Sequence, residues 1–205
     1  MEFAAAVRTR RMCRSFAQRP VDTETLTHLF DLARRAPSAG FAQGIGFVVL
    51  RGPDRFERFW DLTLPRHRRA GFAWPGLLDA PVIVVPVADS SRYLERYSEP
   101  DKAPTGLGAD PTAWPVPYWV VDCAFAVENL LLAVTDRGLG ALFFGIFHQA
   151  GAVSEALDLP DGAVPIGAIA LGHPAPDRPS ASVRRGRRDL DEVVHDGSWG
   201  TPLSG

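Results

Sequence analysis

YWVVDCAFAVENLLLAVTDR, Tyr118 to Arg137, is the longest helical signal in the chain. It is apolar on nearly all sides, and a helix with so little polar surface has to be buried around most of its circumference. Gly138 stands where a left-handed C′ residue closes a helix. Such a segment belongs at the centre of a domain. Asp122, Glu128 and Asn129 interrupt its apolar run, so a bilayer span is not expected here or elsewhere in the chain.

Outward from this helix, short apolar runs bounded by Gly and Pro read as strands: Ile45 to Leu50, Pro81 to Ala88, Ala141 to Phe144 and Pro165 to Leu171. The prolines of the second run are expected near its ends or on an unpaired side. Helices are expected over Glu2 to Thr9, after an Asp22 N-cap with Leu26, Leu29, Phe30 and Ala33 on one stripe, around Arg55 to Leu62, and around Gln149 to Leu157. Arg92 to Tyr97 reads as a helical turn. Residues 63–80 carry no dominant pattern. The stretch from Pro100 to Pro117 holds five prolines and two glycines and reads as a long surface loop over a site, short of apolar anchors. The tail from His173 onward is too polar for a core of its own and should wrap the domain or a partner subunit. Helices and strands mix without regular βαβ alternation, which favours an α+β fold over a doubly wound sheet. With 205 residues and 46% apolar content, residues 1–205 fit one domain.

A net charge of −2 provides no field for nucleic acid or an anionic membrane. Cys13 and Cys123 form neither a disulfide framework nor a metal motif, and the first residues lack a secretory pattern, so a reducing cytoplasm is expected. The five histidines show no ligand spacing, and no metal is expected. Gly138-Leu139-Gly140 with Gly145 fits neither dinucleotide nor phosphate-loop spacing. Ser38 in Ala-Pro-Ser-Ala-Gly lies between a helix and a following strand, the reverse of a nucleophile elbow. The arginines say more. Lys102 is the sole lysine, and eight arginines lie in two short clusters, at 8, 10, 11 and 14 and at 184, 185, 187 and 188. The ordinary reading of such runs is a solvated face. Brought together, however, they would repel unless an anion lay between them, and guanidinium forks match phosphate.

The chain resembles the FMN-dependent nitroreductase family over almost its whole length. The matching pieces, in family order, are Arg10-Arg11-Met12-Cys13-Arg14-Ser15-Phe16, Pro20-Val21, Ala33 to Ser38 with Gln43 beyond, Glu128 to Ala133, Gly138-Leu139-Gly140, Pro165-Ile166-Gly167 to Pro174, and Arg187 to His195. The resemblance implies a mostly antiparallel central sheet flanked by helices, in an intertwined homodimer with FMN at the subunit interface and NAD(P)H as electron donor. It further implies that Arg10, Arg11, Met12 and Arg14, with Arg185 and Arg187, hold the phosphate end. Pro37, Ser38 and Ala39 would line the ring from the partner subunit, Asp122 would approach it from the long helix, and Phe143, Phe144, Gly145 and Ile146 would pass along its edge, with an amide near Gly145 directed at N5. Phe41, Trp114, Tyr118 and Trp119 are the candidates for a pocket that takes a small-molecule electron acceptor. The flavin carries the redox chemistry, so no catalytic side chain is required.

The chain departs from the family pattern at Met12, Phe41 and Gly44-Ile45, where polar or Pro-Trp positions are usual. Three readings follow: an NAD(P)H oxidoreductase that reduces nitroaromatic or quinone-like acceptors by a ping-pong scheme; an FMN-dependent dehydrogenase or other specialised flavoenzyme of natural-product metabolism; and a non-catalytic flavin-binding protein.

Overall fold

The computed structural model describes residues 1–203. Five strands make one sheet: β1 (Ile45–Leu50), β2 (Val82–Asp89), β3 (Gly140–Phe144), β4 (Ala163–Pro165) and β5 (Ala168–Gly172). The strand order is β1-β2-β5-β3, with β4 also paired to β2, and every strand pair is antiparallel. The register of β1 on β2 runs from Ile45 opposite Ala88 to Leu50 opposite Ile83.

β2 is apolar on both faces because both are covered. Val82 and Val84 point into a cluster with Leu26 and Leu29 of α2 (Thr23–Ala33) and Val127, Leu130, Leu131 and Val134 of α6 (Tyr118–Asp136). Ile83, Val85 and Val87 alternate to the other side, against Phe59 and Trp60 of α3 (Pro53–Thr63) and Val153 of α7 (Ala150–Ala156). β5 repeats the division, Ile169 and Leu171 on one face and Ala168 and Ala170 on the other. The result is three layers with α6 packed on the sheet and on α2. At 19 residues α6 has the length and composition of a bilayer span, but here it is a core helix.

Local signals account for the ends of these elements. Asp22 caps α2 by accepting from the Thr25 amide at 2.7 Å. Gly138, at φ 68°, closes α6, with Gly138 N donating to Thr135 O and Leu139 N to Val134 O. Pro86 lies in mid-strand, yet its outer side falls between the stretches paired to β5 and β4, where no strand partner needs the missing N–H. α1 (Phe3–Thr9) and α5 (Ser90–Tyr97) form where helical patterns were expected.

One expectation needs correction, and two segments resolve into more detail than the sequence offered. The run Pro165 to Leu171 is two strands, not one: at Gly167 (φ 155°) a side chain would meet the Phe143 ring at 2.6 Å, and the chain kinks there. Residues 63–80 contain α4 (Arg66–Arg69) and a 3₁₀ turn at Pro75–Leu77, tied down by Arg69 on Glu57 and Asp61. The proline-rich loop does have an apolar anchor, because Trp114 is buried and its Nε1 donates to Leu107 O at 2.8 Å. The tail wraps its own domain at first: Ala17 N donates to His173 O, Ala175 N to Ser15 O, and Arg178 to Ala73 O. Beyond Arg178 it runs over the surface with Val183, Leu190, Trp199 and Leu203 exposed.

Two tests follow. Leu130 is completely buried, so Leu130→Ala should cost about 2–5 kcal/mol in a chemical-denaturation experiment. Both cysteines are buried; burial, then the neighbouring Asp122 charge, pushes the Cys123 thiol up to about 12, and burial raises Cys13. At about pH 8 a thiol-specific reagent should therefore label neither cysteine in the native protein and both after denaturation.

Candidate functional site

The loop after α2 concentrates left-handed backbone. Ser38 is extended, and Ala39–Phe41 then form a 3₁₀ turn in which Gly40 (φ 60°), Phe41 (φ 58°) and, two residues on, Gln43 (φ 52°) are left-handed. For the two non-glycine residues this costs on the order of 1–3 kcal/mol each, and such strain persists only where neighbours over-determine it. Here they do. The Ala39 amide donates to Asp122 Oδ2 at 2.8 Å, Gln43 N to Ser38 Oγ at 3.0 Å, and Arg96 Nε to Gly40 O at 2.8 Å. A Cβ on Gly40 would lie 2.8 Å from the Tyr97 ring, so the turn is also packed shut on that side. The strained backbone presents Phe41 with its side chain 74% exposed.

Beneath the loop lies an aromatic box. Tyr93 is fully buried and donates to Asp122 Oδ2 at 2.6 Å. Its ring meets Trp114 and Trp119 edge-on at centroid distances of 5.8 and 6.1 Å, and Tyr97 meets Trp114 at 4.7 Å. Burial first, and the hydrogen bond to Asp122 second, push the Tyr93 phenol well above its usual range, so the proton stays on Tyr93 Oη. Asp122 is 3% exposed and has no cationic partner among the described residues. Trp114 and Trp119 thus support the loop from below, while Tyr118 is 43% exposed at the start of α6.

The basic residues gather elsewhere. The segment after α1 runs beside the start of β3, with Met12 bridged to Ala141 and Cys13 N donating to Ala141 O at 2.8 Å. Arg14 donates from Nη1 to Met12 O at 3.2 Å and lies 5.2 Å from the centre of the Trp74 ring, which Arg178 approaches at 4.7 Å. Asp177 accepts from the Arg14 amide at 2.7 Å. Arg10 pairs with Glu128 at 3.2 Å. Arg11, Arg185 and Arg187 are exposed and make no ion pair or side-chain hydrogen bond among the described residues. Among the described residues, no such contact joins the second arginine cluster to the first within one chain.

At the far end of β3, Phe143 and Phe144 are half-buried and Phe144 stacks on Trp60, with centroids 5.9 Å apart and planes 7° from parallel. Ile146 is buried, whereas Gly145 and Phe147 are exposed. Among the described residues, the amides of Gly145, Ile146, Phe147 and His148 donate to no backbone or side-chain acceptor. Gly145, Phe147 and His148 are exposed, and Phe147 and His148 open the 3₁₀ turn Phe147–Gln149, whose first N–H groups have no partner within the turn. Their amides are therefore open to an acceptor from outside the chain.

The arrangement therefore brings Pro37, Ser38, Ala39, Phe41 and Asp122 together with Trp114, Tyr118 and Trp119. The N-terminal arginines and the Gly145 edge form two further patches. Sequence reasoning missed Tyr93, Arg96 and Tyr97; their i, i+3, i+4 spacing on one helix face was the available signal. Trp74 and Arg178 left none.

The Nitroreductase family model matches residues 7–173. The chain is 28% identical over 204 residues to a Methanothermobacter thermautotrophicus protein provisionally named NADH dehydrogenase/NAD(P)H nitroreductase, with 97% of this chain and 88% of that protein covered. A Staphylococcus aureus NADPH-dependent oxidoreductase is 24% identical over 192 residues, covering 92% of this chain and 70% of the other. Among solved structures, a Parabacteroides distasonis protein, also provisionally named NADH dehydrogenase/NAD(P)H nitroreductase, superposes with a TM-score of 0.71 at 20% identity, covering 97% of this chain and 99% of that one. Strained loop, free amide edge and antiparallel sheet thus sit in a chain that belongs to the nitroreductase family of oxidoreductases.

Proposed function

We propose that this chain is an FMN-dependent NAD(P)H oxidoreductase that reduces nitroaromatic or quinone-like acceptors as a cytoplasmic homodimer. The observation that carries the reading is the run of free amides at residues 145–148, a donor edge suited to the acceptor atoms of a flavin ring. The remaining donor chemistry fits the same group. Arg11 and Arg14 offer guanidinium forks for a phosphate, with Arg185 and Arg187 supplied by the tail. Ser38 and Ala39 offer a rigid backbone wall for a planar ring. FMN bound there would supply two-electron redox chemistry between NAD(P)H and an organic acceptor.

The protein's own contribution is position and exclusion. The strained turn would offer Ala39 and Gly40 as a fixed backbone wall and exposed Phe41 as an aromatic surface beside it, and the packed Tyr93–Trp114–Trp119 box supports the loop from beneath. Homodimer formation is supported by side chains that the single chain leaves uncovered: Tyr118 and Phe125 on α6, and Val183, Leu190 and Trp199 on the tail. A second reading, an FMN-dependent dehydrogenase with a dedicated substrate, is favoured by Phe41, an exposed aromatic side chain on the strained turn that would restrict which ligands can approach it. The two differ in their reductant.

Under anaerobic conditions, NADH or NADPH should bleach the protein-bound flavin, and a quinone or nitroaromatic should restore its colour. Bleaching only by some other organic substrate would favour the dehydrogenase, and bleaching by neither would contradict both. Arg14→Ala should weaken FMN retention roughly 10- to 100-fold, as measured by flavin fluorescence on dilution, the effect of losing one charge-assisted phosphate contact. Unchanged retention would remove Arg14 from the phosphate site.

A further inference from the structure

We propose that Asp122 and Arg96 are positioning residues that preset the Ala39–Gln43 turn before any ligand arrives, Asp122 by accepting from the Ala39 amide and Arg96 by donating to the Gly40 carbonyl. The idea rests on the reading of that turn as the wall against which the flavin ring and its acceptor stack.

The turn cannot hold its shape alone. Phe41 and Gln43 sit in left-handed backbone without the freedom of glycine, and the turn's own hydrogen bonds, Phe41 N to Ser38 O and Ala42 N to Ala39 O, are local. Two separate elements therefore grip it from different sides. From α6, Asp122 places a buried carboxylate oxygen on Ala39 N. Among the described residues no cation pairs with that carboxylate, so its two donors, Ala39 N–H and Tyr93 O–H, are what keep it in place. From α5, Arg96 reaches Gly40 O with Nε and spends its two terminal nitrogens elsewhere, on Asp101 at 2.7 and 2.8 Å and on Glu99 at 3.0 Å.

The second grip has a consequence for specificity. Glu99 and Asp101 lie at the entry to the proline-rich loop, so Arg96 joins that loop to the turn through a single side chain. Trp114, at the other end of the loop, packs on Tyr93 and Tyr97 of the same helix. Changes in the proline-rich loop should therefore reach the acceptor face through α5, even from residues that touch no ligand. Neither Asp122 nor Arg96 needs to contact a reacting atom for this.

Hydrogen–deuterium exchange of the peptide spanning residues 37–44, in the flavin-free protein, tests the grip directly. Asp122→Ala should speed exchange there by about tenfold or more, the loss expected when a buried acceptor is removed, while residues 126–134 of α6 keep their protection. Asp122→Asn retains a carbonyl acceptor for Ala39 and should stay within about threefold of the parent. Arg96→Ala removes a partly exposed side chain, leaves the core intact and should also speed exchange about fivefold; it decides the matter if Asp122→Ala does not fold. FMN dissociation constants should rise in the same order, Asn least. Unchanged exchange in both alanine variants would overturn the proposal, as would Asp122→Asn exchanging as fast as Asp122→Ala, which would assign the effect to charge instead of to acceptor geometry. If the parent protein takes up no FMN, the flavin reading fails, while the exchange result still stands for the grip.

Discussion

A carboxylate buried without a cation is expensive, and Asp122 is such a group. It is tolerated because two donors converge on one of its oxygens, the Ala39 amide from the loop after α2 and the Tyr93 hydroxyl from α5. The helix that carries it is fixed in turn by the sheet and α2, through Val127, Leu130, Leu131 and Val134. The geometry of an exposed, strained turn is thereby tied to the buried core of the molecule. Removing the carboxylate leaves both donors unmet, and removing either donor leaves the buried carboxylate short of a partner, in an aromatic setting.

The parts of this architecture legible in the sequence are those set by periodicity and local punctuation. β2 reads as a continuous apolar run because both of its faces are covered, and α6 reads as a central helix because little of its surface is polar. Asp22 and Gly138 mark helix ends because the capping chemistry is local. Contacts that join distant segments leave no such trace. Nothing in Val164, Ile166 or Ala168 marks the break between β4 and β5; it follows from the Phe143 ring lying where a side chain at Gly167 would go. Arg96 looks like any helical arginine, and its role appears only once Gly40 and Asp101 are seen on either side of its guanidinium. Trp114 sits among prolines and reads as loop, yet its indole closes the box under Tyr93 and Tyr97.

The arginines illustrate the same division on a larger scale. Sequence identifies two basic clusters and the physics of like charges demands an anion if they meet. Within one chain, Arg10 is partly neutralised by Glu128, Arg14 leans on Trp74 beside Arg178, and the later cluster lies on an exposed stretch of tail. The first segment of that tail, by contrast, is sewn to residues 14–17 through Asp177, Ala175 and His173. The tail is anchored at its base and uncovered further on, with apolar side chains exposed at Val183, Leu190 and Trp199, and this is the surface that the proposed homodimer would cover.

What the strained turn, the free amides and the arginines hold decides the function. The visible absorption spectrum of the purified protein, with the released ligand identified by mass, addresses this most directly. The account predicts a yellow protein with a flavin absorption band and a released mass equal to that of FMN. A colourless protein that also takes up no added FMN would contradict it, and would mean that Met12, Phe41 and Gly44 have turned a family fold to a different purpose.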